Sequence, residues 1–150
     1  MDNMANNKHI TGAWGEDIAV DWLQKQGFQV LCRNWRKGSY ELDVVCLHQG
    51  ELVFVEVKTR TSGSLESARE ALGLAKQKSL IRAAQEYIKA NNACDVPCRF
   101  DLVCVESLET GHNLEHLNNA FEFSENKLAG KPHKGRGSAL DSGNTNWQPW

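Results

Sequence analysis

Two runs of apolar and β-branched residues, separated by a long helical segment, constrain the fold of this chain most strongly. The first run, LVFVEVK, covers residues 52–58, and the second, FDLVCV, covers residues 100–105. Between them, residues 66–90 carry an apolar stripe with helical spacing, formed by Leu80, Ile81, Ala84, Tyr87 and Ile88. A connection that contains a helix of this length allows two neighbouring strands to run parallel. The sequence therefore predicts an α/β fold.

The remaining elements extend this unit into a layered domain. A helix is predicted over 12–26, ending at Gly27, and further strands over 28–36, 40–48, 51–60 and 99–106. Gln49-Gly50 predicts a hairpin turn between the second and third strands. The order α-β-β-β-α-β predicts an α/β/α sandwich around a central mixed sheet. The segment LEHLNNAF at 114–121 is ambiguous between a short final edge strand and a helical turn.

Length and composition indicate one domain and one compartment. The 150 residues, 41% of them hydrophobic, suffice for a single core, which we place at residues 9–123. Residues 124–150 are rich in Gly, Ser, Asn and Lys without apolar periodicity, which predicts a disordered tail. The five cysteines are odd in number and favour reduced thiols, and we find neither an apolar membrane span nor a signal peptide. We expect a cytoplasmic protein without a membrane partner.

An acid and a base interrupt the first apolar run. Glu56 and Lys58 occupy alternate positions, so a strand would place both on one face of the sheet. The ordinary interpretation is a solvent-facing salt bridge on an edge strand. The preceding strand, YELDVVCL, carries Glu41 and Asp43 on one face, and a tight hairpin would bring one of these carboxylates close to Glu56.

Two carboxylates held close together must bind a cation or raise the pKa of one of them. Carboxylate oxygens with several waters suit Mg²⁺ or Mn²⁺. Lys58 would then orient a water molecule or neutralise charge on a phosphate, which a compact ammonium does well. The pattern of Asp43, Glu56 and Lys58 therefore predicts a metal and water site, with a cluster of structural ion pairs as the alternative.

Other charged and aromatic residues have two interpretations each. Glu16 on the first helix could be a third carboxylate ligand or could stabilise the helix N-terminus, while Gly12, Gly15 and Ala19 keep that helix face small. Lys76 could contact a phosphate or remain at the surface along its alkyl stem. The same choice between phosphate contacts and solvated charge applies to Arg33, Arg36, Lys37 and Arg60. Bases could stack on Trp14 and Trp35, which could equally be buried.

Two observations oppose or compete with a nucleic-acid site. The net charge of −2 does not favour a polyanionic partner. The spacing of Cys94 and Cys98, followed by His112 and His116, is close to that of a zinc finger. The stretch between the two pairs has the pattern of a core strand and a turn, which disfavours a finger.

As an ordered set, these motifs resemble one family. The set comprises GAWGE at 12–16, NWR at 34–36, Glu41-Leu-Asp43, FVEVKTR at 54–60, Lys76 with RAAQEYI, RFDLVCV at 99–105 and NNAF at 118–121. It resembles the YraN-like family of small bacterial proteins, assigned to the restriction-endonuclease-like PD-(D/E)xK nuclease superfamily and similar in arrangement to Holliday-junction resolvases. The resemblance covers roughly residues 9–123.

The resemblance implies a nuclease core. It implies Asp43 and Glu56 as ligands of Mg²⁺ or Mn²⁺, Lys58 as the catalytic lysine and Glu16 as an additional catalytic acid and ligand. The substrate would be DNA, with branched or structured DNA suggested by the similarity to resolvases, and a homodimer is plausible because cutting paired strands needs two sites. The alternative is a nucleic-acid-binding or adaptor protein that keeps the fold without catalysis.

Overall fold

The computed structural model describes residues 4–61, 70 and 72–122, with side chains from residue 12 onward. These residues form the helices α1 (Met4–Lys25) and α2 (Leu74–Ala90) and five strands. The strands are β1 (Gln29–Lys37), β2 (Tyr40–His48), β3 (Glu51–Thr61), β4 (Cys98–Ser107) and β5 (His112–Phe121). The predicted tail at 124–150 lies outside the described residues.

The five strands form one mixed sheet in the order β1-β2-β3-β4-β5. Neighbours pair antiparallel except β3 and β4, which run parallel from Leu52 and Cys98 to Thr61 and Ser107. Because α2 lies in the connection between β3 and β4, it makes the crossover that a parallel pair requires. The predicted central mixed sheet is confirmed.

The two helices cover opposite faces of the sheet. Buried side chains of α2, among them Ile81, Ala84 and Tyr87, pack with Phe54 and Phe100 of the sheet. On the other face, Ala19 and Leu23 of α1 pack with a row of valines from the central strands, Val44, Val53, Val55, Val103 and Val105. The central strands β2, β3 and β4 are therefore apolar on both faces, as strands covered by helices must be. The predicted α/β/α sandwich is confirmed.

Several element boundaries differ from the sequence predictions. Helix α1 begins at Met4, eight residues before the predicted start, and α2 begins at Leu74 instead of residue 66. Glu70, Leu72 and Gly73 are not helical, and residues 66–69 and 71 lie outside the described residues. The ambiguous segment 114–121 lies within β5, a full edge strand of ten residues.

The hairpin between β2 and β3 has the predicted turn. Gln49 and Gly50 both have positive φ, at 50° and 80°, as a two-residue turn with the right twist requires. All five cysteines lie within the described residues and are free thiols, as predicted. Neither described helix is long and apolar enough to cross a bilayer.

Candidate metal and phosphate site

The site forms where β2 and β3 separate. Their ladder runs from His48 and Glu51 to Val44 and Val55 and ends there, although β3 continues to Thr61. Asp43 is the next residue of β2, and its Oδ2 atom accepts a hydrogen bond from the backbone N–H of Val57 at 2.9 Å. The carboxylate thus accepts a hydrogen bond from a backbone donor of β3 that no longer pairs with the backbone of β2. Asp43 is thereby held at the opening between the two strands.

Glu56 is the buried acid of the site, with only 5% of its surface exposed. One of its oxygens, Oε1, lies 3.3 Å from Nζ of Lys58 and 3.1 Å from Nζ of Lys76. Glu56 follows Leu52 and Phe54 in the alternation of β3, and those residues belong to the core cluster under α2. Lys76 lies in the first turn of α2 and reaches Glu56 from above that face. The structure therefore brings Glu56, Lys58 and Lys76 together.

The two acids of the site interact strongly. Burial, followed by the charge of Glu56 and a hydrogen bond between the two carboxyl groups, raises the pKa of Asp43 to about 7. The charge of Glu16 adds to this rise, whereas the hydrogen bond from Val57 opposes it. Like charges that lie close together in a partly buried place resist joint ionisation. Asp43 is therefore the carboxyl group at which the charges of Glu56 and Glu16 both act.

Glu16 is held at the site by β1. Its Oε2 accepts a hydrogen bond from Nδ2 of Asn34 at 3.0 Å and lies 3.9 Å from the guanidinium of Arg33, which also pairs with Asp17 at 2.7 Å. Asn34 has φ of 49°, a left-handed conformation that Asn adopts more readily than most residues. The sequence pattern did not predict this role for Asn34. The signal that could have revealed it is an Asn within a strand, next to a Trp in the NWR motif.

A glycine lets α1 approach the site end of β3. A Cβ atom added at Gly15 would lie 2.1 Å from Oγ1 and 3.3 Å from Cβ of Thr59, closer than packed atoms allow. The predicted need for a small residue therefore has a structural basis at Gly15. At Gly12 nothing lies within 4 Å of an added Cβ, so this glycine has no such role.

Three residues that were predicted to contact phosphate lie near the ends of β1 and β3. Arg36 and Lys37 end β1 and pair with Glu41 at 3.1 Å and Glu86 at 2.7 Å. Of the two acids on β2, Glu41 therefore pairs with an exposed arginine, and Asp43 is the one that interacts with Glu56. Arg60 lines a separate pocket with Cys104, Glu106, Asn113, Leu114 and Glu115.

The two candidate stacking tryptophans have packing partners. Trp35 is half-buried and meets Tyr87 of α2 edge to face, with ring centroids 5.6 Å apart. Trp14 meets His112 of β5 edge to face at 5.9 Å and lines a groove between α1 and β5. For both residues, the structure therefore supports packing within the fold, which was the alternative to stacking on bases.

The four residues with zinc-like spacing do not converge. Cys98 begins β4, whereas His112 pairs with Ser107 at the other end of that strand. His116 lies 3.0 Å from a carboxylate oxygen of Asp101. In the described part of the chain, no group of three or more His, Cys, Asp or Glu side chains is arranged to hold a metal ion. The structure therefore contradicts the alternative interpretation of these four residues as a zinc site.

A second polar cluster, unpredicted from sequence, lies on the α1 face of the sheet. Asp101 is 1% exposed and contacts Arg99 at 3.1 Å, His116 at 3.0 Å and the backbone N–H of Asn119 at 3.1 Å. Burial acts to raise the pKa of Asp101, but these three hydrogen bonds outweigh it and hold the pKa below its ordinary value. His116 also accepts a hydrogen bond from the indole of Trp22 at 3.4 Å, which ties α1 to β5. The cluster links the elements of that face.

Comparison with known proteins gives consistent family matches. The model of the uncharacterised protein family UPF0102 matches residues 15–105. The chain is 42% identical over 147 residues to a UPF0102 protein of Nitratidesulfovibrio vulgaris strain DP4, covering 98% of this chain and 100% of that protein. It is 40% identical over 139 residues to one of Lawsonia intracellularis, covering 93% and 96%. A Bacteroides thetaiotaomicron relative is 42% identical over 118 residues, covering 79% and 96%.

Among solved structures, that of Pyrococcus furiosus SfsA in complex with Ca²⁺ is similar to this chain at a TM-score of 0.35 and 17% identity. The match covers 77% of this chain and 65% of that chain, less than two thirds of its length. A similarity at this level carries no argument about function. The family match and the full-length relatives show that the chain belongs to the uncharacterised protein family UPF0102, the YraN-like family that its motifs resemble.

Proposed function

We propose that this protein is a nuclease that uses a divalent metal ion, Mg²⁺ or Mn²⁺, to hydrolyse phosphodiester bonds in DNA. The observation that carries the proposal is the meeting of Asp43, Glu56 and Lys58 at one opening of the sheet. Glu56 lies close enough to Asp43 for its charge to raise the Asp43 pKa, and Nζ of Lys58 lies 3.3 Å from Oε1 of Glu56. A pair of acids and a base in a partly buried opening is the composition of a hydrolytic metal site.

The chemistry of the donors fits a hard cation. Asp43 and Glu56 would hold it, with Glu16 close enough to influence Asp43 electrostatically. Carboxylate oxygens are the ligands that Mg²⁺ and Mn²⁺ prefer, and Mg²⁺ usually keeps several waters beside one or two carboxylates. A site of this kind does not need three protein ligands, which agrees with the absence of such a cluster among the described residues. A bound ion would neutralise phosphate charge and acidify a coordinated water.

The residues of the chain have separate roles in this proposal. Lys58, held beside Glu56, donates hydrogen bonds from its ammonium to the attacking water or to a phosphate oxygen. Arg36 and Lys37, at the end of β1 beside the site, contact phosphates on either side of the cleaved bond. Their present partners, Glu41 and Glu86, form exposed pairs that exchange readily for phosphate. These contacts bring positive charge locally to a chain whose net charge is −2.

Branched or otherwise structured DNA is the substrate class that we favour, by analogy between the sequence motifs and Holliday-junction resolvases. The proposal includes the cytoplasm as the location and leaves a homodimer as a mode of cutting paired strands. Both follow from the sequence considerations alone.

The test is a cleavage screen on linear, nicked, flapped and four-way DNA, each with Mg²⁺ and with Mn²⁺. The wild type should cut at least one of these structures, while Asp43→Ala and Lys58→Ala should fold and lose cutting by at least about a hundredfold. Lys89→Ala, at an exposed position near the end of α2, is the matched control and should cut normally. Cleavage that persists in Lys58→Ala would contradict the proposal.

The second candidate is a DNA-binding or adaptor protein with the same fold and no turnover. The observation that favours it is the contact of two lysines with Glu56. Both ammonium groups lie at Oε1, an oxygen that would otherwise be available to bind a metal ion. An adaptor would bind DNA equally well in EDTA and in Mg²⁺ and would cut none of the four structures. Binding without cutting by the wild type would therefore select this candidate over the nuclease.

A further inference from the structure

Two ammonium groups share one buried carboxylate oxygen in this protein. Oε1 of Glu56 lies 3.1 Å from Nζ of Lys76 and 3.3 Å from Nζ of Lys58, and the Glu56 side chain is only 6% exposed. The nuclease proposal uses Lys58 and leaves the closer lysine without a role at the metal site. The contact of the Lys76 ammonium with this carboxylate therefore has no explanation in the nuclease mechanism.

Lys76 comes from an unusual place for a cation. It is the third residue of α2, and the first turn of this helix contains no acidic residue. A helix N-terminus carries partial positive charge, so a lysine in the first turn is disfavoured unless an anion compensates it. Glu56, across from that turn on β3, is the compensating anion. The position of Lys76 is thus sustained by its contact with Glu56.

We infer that Lys76 is a displaceable internal counter-ion of Glu56, which pairs with the carboxylate when no metal ion is bound and leaves it when a divalent cation binds. The inference rests on the proposed function in one respect, that Asp43 and Glu56 are the ligands. A metal ion and an ammonium compete for the same lone pairs of Oε1. They also repel one another at such short distances in a site with little water.

The geometry points to Lys76, and not Lys58, as the group that leaves. Lys58 belongs to a central strand, where its backbone is fixed in register with Cys104 of β4. Lys76 stands on the helix above, its side chain 42% exposed, compared with 35% for Lys58. Its flexible stem can therefore carry the ammonium into water with little disturbance of the core. Once free, that ammonium stands at the rim of the site.

Metal affinity distinguishes this role from a purely structural one. If Lys76 only anchors α2 to β3, its removal lowers stability and leaves metal affinity unchanged or weaker. If it competes with the metal ion, its removal strengthens metal binding, because the ion no longer displaces an ammonium. The two roles therefore predict opposite directions of change.

The experiment is calorimetric titration of Mn²⁺ into EDTA-treated and dialysed full-length protein. Lys76→Met, which keeps an unbranched stem and removes the charge, should bind Mn²⁺ about tenfold more tightly than the wild type. Lys78→Met, at an exposed position two residues along the same helix, is the control and should bind like the wild type. Circular dichroism of each variant verifies folding, and Lys76→Gln serves in its place if Lys76→Met does not fold.

Each outcome decides the inference without reference to cleavage. Tighter binding in Lys76→Met or Lys76→Gln, with Lys78→Met unchanged, supports a displaceable counter-ion even if the wild type cuts no DNA. Equal or weaker binding in the Lys76 variant overturns it, even if the wild type proves to be a nuclease. Failure of both the wild type and the Lys76 variant to bind Mn²⁺ also overturns it.

Discussion

The carboxylate of Asp43 takes the place of a β-ladder acceptor for Val57. Its Oδ2 atom accepts the Val57 N–H at 2.9 Å, immediately beyond the last paired residues of β2 and β3. The same carboxyl lies beside Glu56, and burial together with the charge of Glu56 raises its pKa to about 7. One side chain therefore both closes the gap between two strands and supplies an acid to the candidate metal site.

The raised pKa of Asp43 predicts a pH-dependent stability. Because folding raises this pKa from 3.8 to about 7, the folded state holds the proton more tightly than the unfolded state. The resulting stabilisation is complete below pH 3.8 and is lost as the pH rises through about 7. Asp43→Asn keeps an oxygen that can accept from Val57 and removes the ionisation. At pH 8 in EDTA, we expect this variant to be more stable than the wild type by about 2 kcal/mol.

Urea unfolding at a series of pH values checks this expectation. The difference in unfolding free energy between Asp43→Asn and the wild type should grow with pH across that interval and then level off. Asp95→Asn, at an exposed position, provides the comparison for loss of a surface carboxylate. If this difference in unfolding free energy stays constant between about pH 4 and about pH 8, the pKa of Asp43 is not raised by folding.

The close approach of α1 to β3 predicts different costs for the same substitution at two glycines. Gly15→Ala places a methyl group against Thr59, so we expect a loss of about 1–3 kcal/mol in unfolding free energy. Gly12→Ala meets nothing within 4 Å and should be neutral or stabilising, because Ala favours a helix over Gly. Thr59→Ala added to Gly15→Ala should restore part of the loss. Equal stability of the two single variants would refute the tight contact.

The left-handed backbone of Asn34 allows its strain and its hydrogen bond to be separated. Asn34→Gly keeps the conformation and loses the bond to Glu16, whereas Asn34→Ala loses the bond and disfavours the conformation. We expect Asn34→Ala to be less stable than Asn34→Gly by about 1 kcal/mol, measured by chemical denaturation. A more stable Asn34→Ala would be inconsistent with the positive φ at this position.

The buried cluster around Asp101 predicts a large loss of stability at a position away from the candidate site. Asp101→Ala leaves the side chains of Arg99 and His116, which are 13% and 10% exposed, without their shared carboxylate. Removing one member of a buried charged group typically costs about 3–5 kcal/mol. Thermal and urea unfolding should show a loss of this size, while Glu109→Ala at an exposed position should show little. A loss for Asp101→Ala below about 1 kcal/mol would mean that the cluster is solvated.

The central elements of the fold could be predicted because their sequences carry strong periodic signals. The run at 52–58 and its counterpart at 100–105 predict β3, β4 and the crossover, and the structure has them parallel. The segment of β5 containing Asn118 and Asn119 was ambiguous because Asn is rare in strands. It pairs with β4 despite a positive φ at Asn119 and an irregular register near Phe100, neither of which a local pattern reveals.

The candidate site could likewise be predicted from the sequence only in part. The proximity of Glu56, Lys58 and Asp43 could be predicted from the alternation along β3 and from the short hairpin, because both are local features of the sequence. The contact of Asn34 with Glu16 depends on a left-handed residue within β1 and on the packing of α1. The Asp101 cluster joins β4 to side chains from other strands of the sheet. Sequence spacing contains no signal for such long-range partners.

Counting bound Mn²⁺ with electron paramagnetic resonance tests whether Asp43 and Glu56 form one divalent-cation site. The measurement compares the wild type with Asp43→Asn and Glu56→Gln at the same free Mn²⁺ concentration. We expect a saturable site in the wild type that is lost, or weakened at least about tenfold, in both variants. Undiminished Mn²⁺ binding in both variants, or no saturable binding by the wild type, would contradict it.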